Sequence, residues 1–149
     1  MVCQLISLDR LRAANRLYAF TVQVINSLND HTVWTVENPS RSYLWETSYF
    51  QELVQSRKTY RFEYHMCMFG GLRFKRTDIL TNRKEFENAI RVCSNDHEHL
   101  PYTVNNNQFD TSLEAQYPKE LCKALTQVVR DCRLLQCEVW LDTGCYTAT

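Results

Sequence analysis

The chain has 149 residues, 44% of them hydrophobic, which is enough for one domain with its own core. Its 17 basic and 17 acidic residues cancel, so no overall field draws it to nucleic acid or to a membrane; any such attraction has to come from a local cluster. No apolar run approaches the roughly 20 residues of a membrane span, and the short apolar start gives way at once to Asp9, Arg10 and Arg12, so no secretory leader is expected. The seven cysteines (Cys3, Cys67, Cys93, Cys122, Cys132, Cys137 and Cys145) are odd in number and read as reduced thiols of an intracellular protein, cytoplasmic or nuclear and not secreted. With three glycines in all, Gly70-Gly71 is the one pair, too few for the glycine-rich loops that cradle nucleotide phosphates.

In chain order, residues 8–29 read as a helix, with Leu8, Leu11, Leu17, Phe20, Val24 and Leu28 recurring at three- to four-residue steps. Val33-Trp34-Thr35-Val36 reads as a strand that stops at Glu37-Asn38-Pro39, because proline cannot donate to a ladder. A helix follows over about 47–56, with Phe50, Leu53 and Val54 on one face. Tyr60 to Met66 and Phe74 to Leu80 read as two strands joined around Gly70-Gly71, close enough to form an antiparallel hairpin. A short helix is expected over 83–92 and a polar, Asn-rich loop over 94–112. Pro118 suits the first turn of a last helix over 118–132 whose stripe is Leu121, Ala124, Leu125, Val128 and Val129. Residues 138–141 read as a short final strand or a tail running to 149. Strands alternating with helices predict an α/β fold.

Two segments carry a resemblance. Trp34-Thr-Val-Glu-Asn-Pro39 resembles the Glu-Asn-Val or Glu-Asn-Pro segment at the end of a central strand in cytosine-5 DNA methyltransferases. The run Cys67-Met-Phe-Gly-Gly-Leu-Arg-Phe-Lys-Arg-Thr-Asp-Ile-Leu-Thr-Asn82 resembles that family's later segment, with phage and retroelement-associated relatives in view. The resemblance spans about residues 11–100 and implies one incomplete class I methyltransferase-like domain. That fold is a Rossmann-like, mostly parallel sheet ending in an antiparallel hairpin. It implies that Glu37 would hold the edge of a flipped cytosine, with Asn38 and Pro39 shaping the turn that aims it. Arg73, Lys75 and Arg76 would contact nucleic acid. The family's donor loop and Pro-Cys nucleophile have no counterpart here, and Cys3 lacks the preceding proline. A thiolate must add to the base, so the chain is expected to be a non-catalytic remnant, with a mobile element as the source the resemblance suggests. Alternatively it is one subunit of a split methyltransferase. S-adenosylmethionine is then expected only with a second chain carrying the missing half, and DNA is the implied partner.

Outside that resemblance, Cys93-x3-His97-x-His99 offers thiolate and imidazole ligands of the kind zinc takes in a tetrahedron. Cys67 or Cys122 could supply the fourth. The competing reading is a polar loop with solvated histidines around a buried Cys93. A zinc-stabilised loop would make the chain a nucleic-acid or protein interaction module. The basic stretch Arg73, Lys75, Arg76, Arg83 and Lys84 has aromatic neighbours that could stack bases, but alternate strand positions face opposite sides, so a solvated rim is the simpler reading.

Overall fold

The structure is a computed structural model that describes residues 8–101, 104–105, 108–109 and 116–142, with side chains for 8–101 and 116–133. Its elements are α1 (Leu8–Ser27), β1 (Thr35–Pro39), α2 (Ser48–Ser56), β2 (Tyr60–His65), β3 (Arg76–Thr81), the two-residue strands β4 (Val104–Asn105) and β5 (Gln108–Phe109), and α3 (Lys119–Asp142). Three 3₁₀ turns, Tyr43–Glu46, Met66–Phe69 and Lys84–Ala89, fill connections. The last of these replaces the short helix expected over 83–92. β4 and β5 pair within the loop expected to be irregular. The expected final strand at 138–141 is instead part of α3, and residues 143–149 of the expected tail lie outside those described.

The main sheet has the order β1-β3-β2, and both neighbouring pairs are antiparallel. β1 and β2 therefore run in the same direction, as a βαβ reading of β1-α2-β2 expects, but β3 is inserted between them. The expected parallel ladder does not form, because the β2–β3 hairpin folds its second strand into the gap. The antiparallel hairpin itself is as expected. The mixed helix-and-strand class stands; a parallel, doubly wound sheet is not what pairs here.

β1 runs through Glu37 and Asn38 to Pro39, which sits opposite Thr77. β1 ends at this proline, as expected, and Pro39 is tolerated within the ladder because β1 is an edge, where an absent N–H faces no partner. β3, expected over Phe74 to Leu80, is found at Arg76–Thr81. As the central strand it is covered on both faces, and its Thr77, Asp78, Ile79, Leu80 and Thr81 are all buried. The polar ones need partners. Asp78 accepts from Ser40 Oγ at 2.6 Å and Arg61 Nε at 2.7 Å, while Thr81 Oγ1 donates to the Trp34 carbonyl at 2.9 Å. Just past the strand, the Asn82 amide takes the Trp34 N–H and gives to the Thr32 carbonyl, extending the ladder with a side chain.

Each face of β3 builds its own core. Leu80 packs with Val22, Ile25, Trp34, Leu44, Trp45, Phe50 and Leu53, so α1 and α2 cover one side. Ile79 packs with Tyr64, Met66, Phe69, Phe86, Leu121, Val128 and Cys132, so α3 and the last 3₁₀ turn cover the other. The α3 stripe expected from sequence thus meets the sheet. Of the expected α1 stripe, Leu28 packs against the core around Leu80, but Leu17 and Phe20 are 61% and 60% exposed, and the buried residues of α1 are Val22 and Ile25.

Candidate metal centre

β2 ends at His65, and the chain turns at once into the 3₁₀ segment Met66–Phe69, which carries Cys67. Gly70 closes this turn at φ +93°, a left-handed conformation that favours glycine. A Cβ on Gly71 would meet the Met66 carbonyl oxygen at 2.8 Å, so that position also needs glycine. This is the one place where the Gly-Gly pair is used, and it sets Cys67 at the hairpin end of the sheet.

The other ligands come from residues 93–99, which form no helix or strand. Backbone and side-chain pins hold this segment. The His65 N–H bonds to the Arg91 carbonyl at 3.0 Å, the Leu100 N–H to the Leu72 carbonyl at 2.9 Å, and Arg73 Nε to the Pro101 carbonyl at 3.2 Å. The ligand atoms of Cys67, Cys93, His97 and His99 all lie within 4.8 Å of one another. Cys93 Sγ is 3.8 Å from His97 Nε2 and 3.5 Å from His99 Nε2. A tetrahedral zinc with Zn–S of about 2.3 Å and Zn–N of about 2.0–2.1 Å sets its sulfur and nitrogen ligands about 3.6 Å apart. The two distances bracket that value.

The surroundings suit ligands. The Asn95 N–H donates to Cys93 Sγ at 3.2 Å from a residue at φ +61°, a tight turn that points an amide at the sulfur. His97 Nδ1 is 3.0 Å from Asp96 Oδ1. A proton shared there leaves Nε2 as the free lone pair, the carboxylate–histidine arrangement that orients metal-bound imidazoles. The His97 bond also holds the Asp96 carboxyl below its usual range. Burial, then the neighbouring Cys93 thiol, pushes Cys67 up to about 11. A divalent cation beside Cys67 would reverse that preference.

One step outward is a histidine that sequence reading did not single out. Buried His65 accepts the Cys93 N–H on Nδ1 at 2.9 Å, which places its proton on Nε2, 3.1 Å from Glu63 Oε1. Arg76 grips Glu63 Oε2 through Nε at 3.0 Å and Nη2 at 2.6 Å. The relay Arg76–Glu63–His65 thus fixes the backbone of Cys93. Nothing in the spacing of His65 or Glu63 announces this, since it depends on residues 28 apart meeting.

Glu63 is held at about 2, first by the Arg76 hydrogen bond, against burial and with help from His65. Its unfolded value is 4.5, so its contribution is fully present above that pH and is lost as pH falls toward 2. Glu63→Gln should remove that component, about 1 kcal/mol after allowance for its one-third exposure. Urea midpoints at pH 5 and pH 3 would then differ less in the variant than in the parent; an equal drop in both would refute the assignment.

The other expected site residues separate. Cys122, the alternative fourth ligand, is exposed on α3 and outside the cluster. Buried Arg73 and Lys75 both line a cavity of about 660 Å³ with Gly70, Gly71 and Tyr117, while Arg76 is ion-paired to Glu63 and is not in that lining. Glu37 sits mid-strand opposite Ile79 and accepts from the Tyr117 hydroxyl at 2.6 Å. Burial, then this bond, pushes Tyr117 up to about 12. Glu37 Oε1, Tyr64 Oη and Thr77 Oγ1 are buried without a hydrogen-bond partner among the described residues. No helix of the described residues is long and apolar enough to cross a membrane. Comparison of the chain with family models, with curated proteins and with solved structures finds no match.

Proposed function

We propose that the chain is a non-catalytic interaction module stapled by one structural zinc ion on Cys67, Cys93, His97 and His99. The observation that carries this is Cys93 Sγ at 3.5 and 3.8 Å from two imidazole Nε2 atoms, with a second thiol in the same cluster. Four protein ligands fill a tetrahedral sphere and leave no position for water or substrate, the mark of a structural rather than a catalytic zinc. The ligand set ties a loop without regular structure to the hairpin end of the sheet.

The expected result is one zinc per chain by elemental analysis of protein made and purified in reducing buffer without chelator. Cys67→Ser and His99→Ala should each lower that content, while Cys122→Ser should leave it unchanged. Protein that is folded and reduced yet takes up no zinc on titration would overturn the proposal.

The reading as a remnant or split subunit of a cytosine-5 DNA methyltransferase rests on the Glu37-Asn38-Pro39 and Cys67–Asn82 runs. It would have S-adenosylmethionine and DNA bind only beside a complementing chain. The antiparallel pairing of all three strands lends it no support.

A further inference from the structure

The basic residues that the sequence groups along 73–84 part company in three dimensions, and two of them meet cations from elsewhere. A cleft of about 470 Å³ opens at the end of the sheet opposite the cysteines and is lined in part by Arg57, Lys58, Tyr60, Arg83 and Lys84. The link after α2 delivers Arg57 and Lys58, the start of β2 delivers Tyr60, and the link after β3 delivers Arg83 and Lys84.

Arg57 is fixed in place by the end of α1 and the turn after it, and Arg83 by that turn. Arg57 donates to the carbonyls of Ile25 at 2.6 Å and Leu28 at 3.3 Å, and Arg83 Nη2 to those of Asp30 at 3.3 Å and His31 at 3.4 Å. Asp30 answers Arg57 at 2.9 Å. Among the described residues no carboxylate lies within ion-pair distance of Lys58, Arg83 or Lys84. Glu85 is the other carboxylate in the lining, so three cations face it. The Tyr60 ring stacks parallel on Phe62, with centroids 6.2 Å apart and planes 2° from parallel, and the Lys58 ammonium lies 5.8 Å from the Tyr60 centroid. A ring flanked by a second ring and by a lysine ammonium is a platform that a planar base can take, with the ammonium turned to the phosphate. The volume falls within the range of small-ligand clefts.

We infer that this cleft binds a nucleotide unit, its phosphate held by Lys58, Arg83 and Lys84 and its base laid on Tyr60. The shared chemistry is a phosphate joined through a sugar to an aromatic base, carried by a free nucleotide or by a single strand. The inference rests on the interaction-module reading but not on its metal.

The test is fluorescence anisotropy of the full chain with a short labelled oligodeoxythymidylate at low salt, competed with thymidine monophosphate, inorganic phosphate and polyglutamate. Binding should weaken about tenfold in Lys58→Ala/Lys84→Ala and several-fold in Tyr60→Ala, recover in Tyr60→Phe, and stay unchanged in Lys123→Ala on α3. Competition by thymidine monophosphate identifies a free-nucleotide site; competition by unlabelled strand alone identifies a strand site. No binding, or binding that ignores Tyr60 and is competed equally by polyglutamate or inorganic phosphate, overturns the inference. Zinc content, measured on the same variants, should not move, so a failure here is distinct from a failure of the metal centre.

Discussion

Cys93→Ser is expected to lower the stability of the chain by about 3 kcal/mol or more and to abolish its response to chelator. Cys93 is the one buried ligand of the four, and its sulfur stands between both imidazoles. Segment 93–99 has no ladder or helix of its own to fall back on. The loss should stay well short of the roughly 10–16 kcal/mol seen for peptides that fold only on zinc, because none of the four ligands belongs to either core. Thermal melts with and without chelator check this. The parent should lose several degrees on chelation and the variant none; a parent indifferent to chelator would refute a metal staple. Cys132→Ser, buried in the α3 core and away from the cluster, separates loss of ligand from loss of a buried thiol.

Phe50→Ala is expected to lower stability by about 3–5 kcal/mol. Phe50 is 1% exposed and meets Trp45 edge to face, with centroids 5.8 Å apart and planes at 87°. It is a principal contribution of α2 to the core that α1 and Leu80 share. Trp45 cannot follow into the space, because Nε1 is bound to the Pro39 carbonyl at 3.0 Å and Arg61 lies 4.6 Å over its ring. A cavity therefore remains, which is the expensive outcome of such truncations. Urea denaturation should show a lower midpoint at an unchanged slope; a loss under 1 kcal/mol would mean the site collapses and the packing account is wrong. Tyr49→Ala next door, on an exposed side chain, should cost far less.

Much of this architecture is legible in the sequence, and the failures have physical causes. The α2 pattern is right for Phe50 and Leu53, which are buried as a nine-residue amphipathic helix on a core requires, but not for Val54, which is 47% exposed. The α1 stripe misled because periodicity marks an apolar face without saying whether anything covers it. Val22 and Ile25 are fewer than the stripe but are the ones that meet Trp34 and Leu44. β3 reads as a strand from Phe74 to Leu80; what the sequence does not show is that Asp78 and Thr81 are buried, because only their partners, 17 to 47 residues distant, make that tolerable. In the metal cluster, Cys93, His97 and His99 are local and visible; Cys67 was one of two options, and only the hairpin geometry chose it over Cys122. His65 and Asp96, which orient the cluster, carry no spacing signature of their own.

The strand order has a consequence for synthesis. β3 lies between β1 and β2 yet is made after both, so every ladder hydrogen bond of the main sheet waits for residues 76–81. Until they leave the ribosome, two strands of like direction stand with both edges open and no neighbour to pair with, the condition under which nascent chains find each other. A ribosome paused before residue 76 holds helices without a sheet. A chain whose residues 76–81 have emerged but whose residues 93–99 have not holds the sheet with the Cys67 thiol in position and neither His97 nor His99 to meet it.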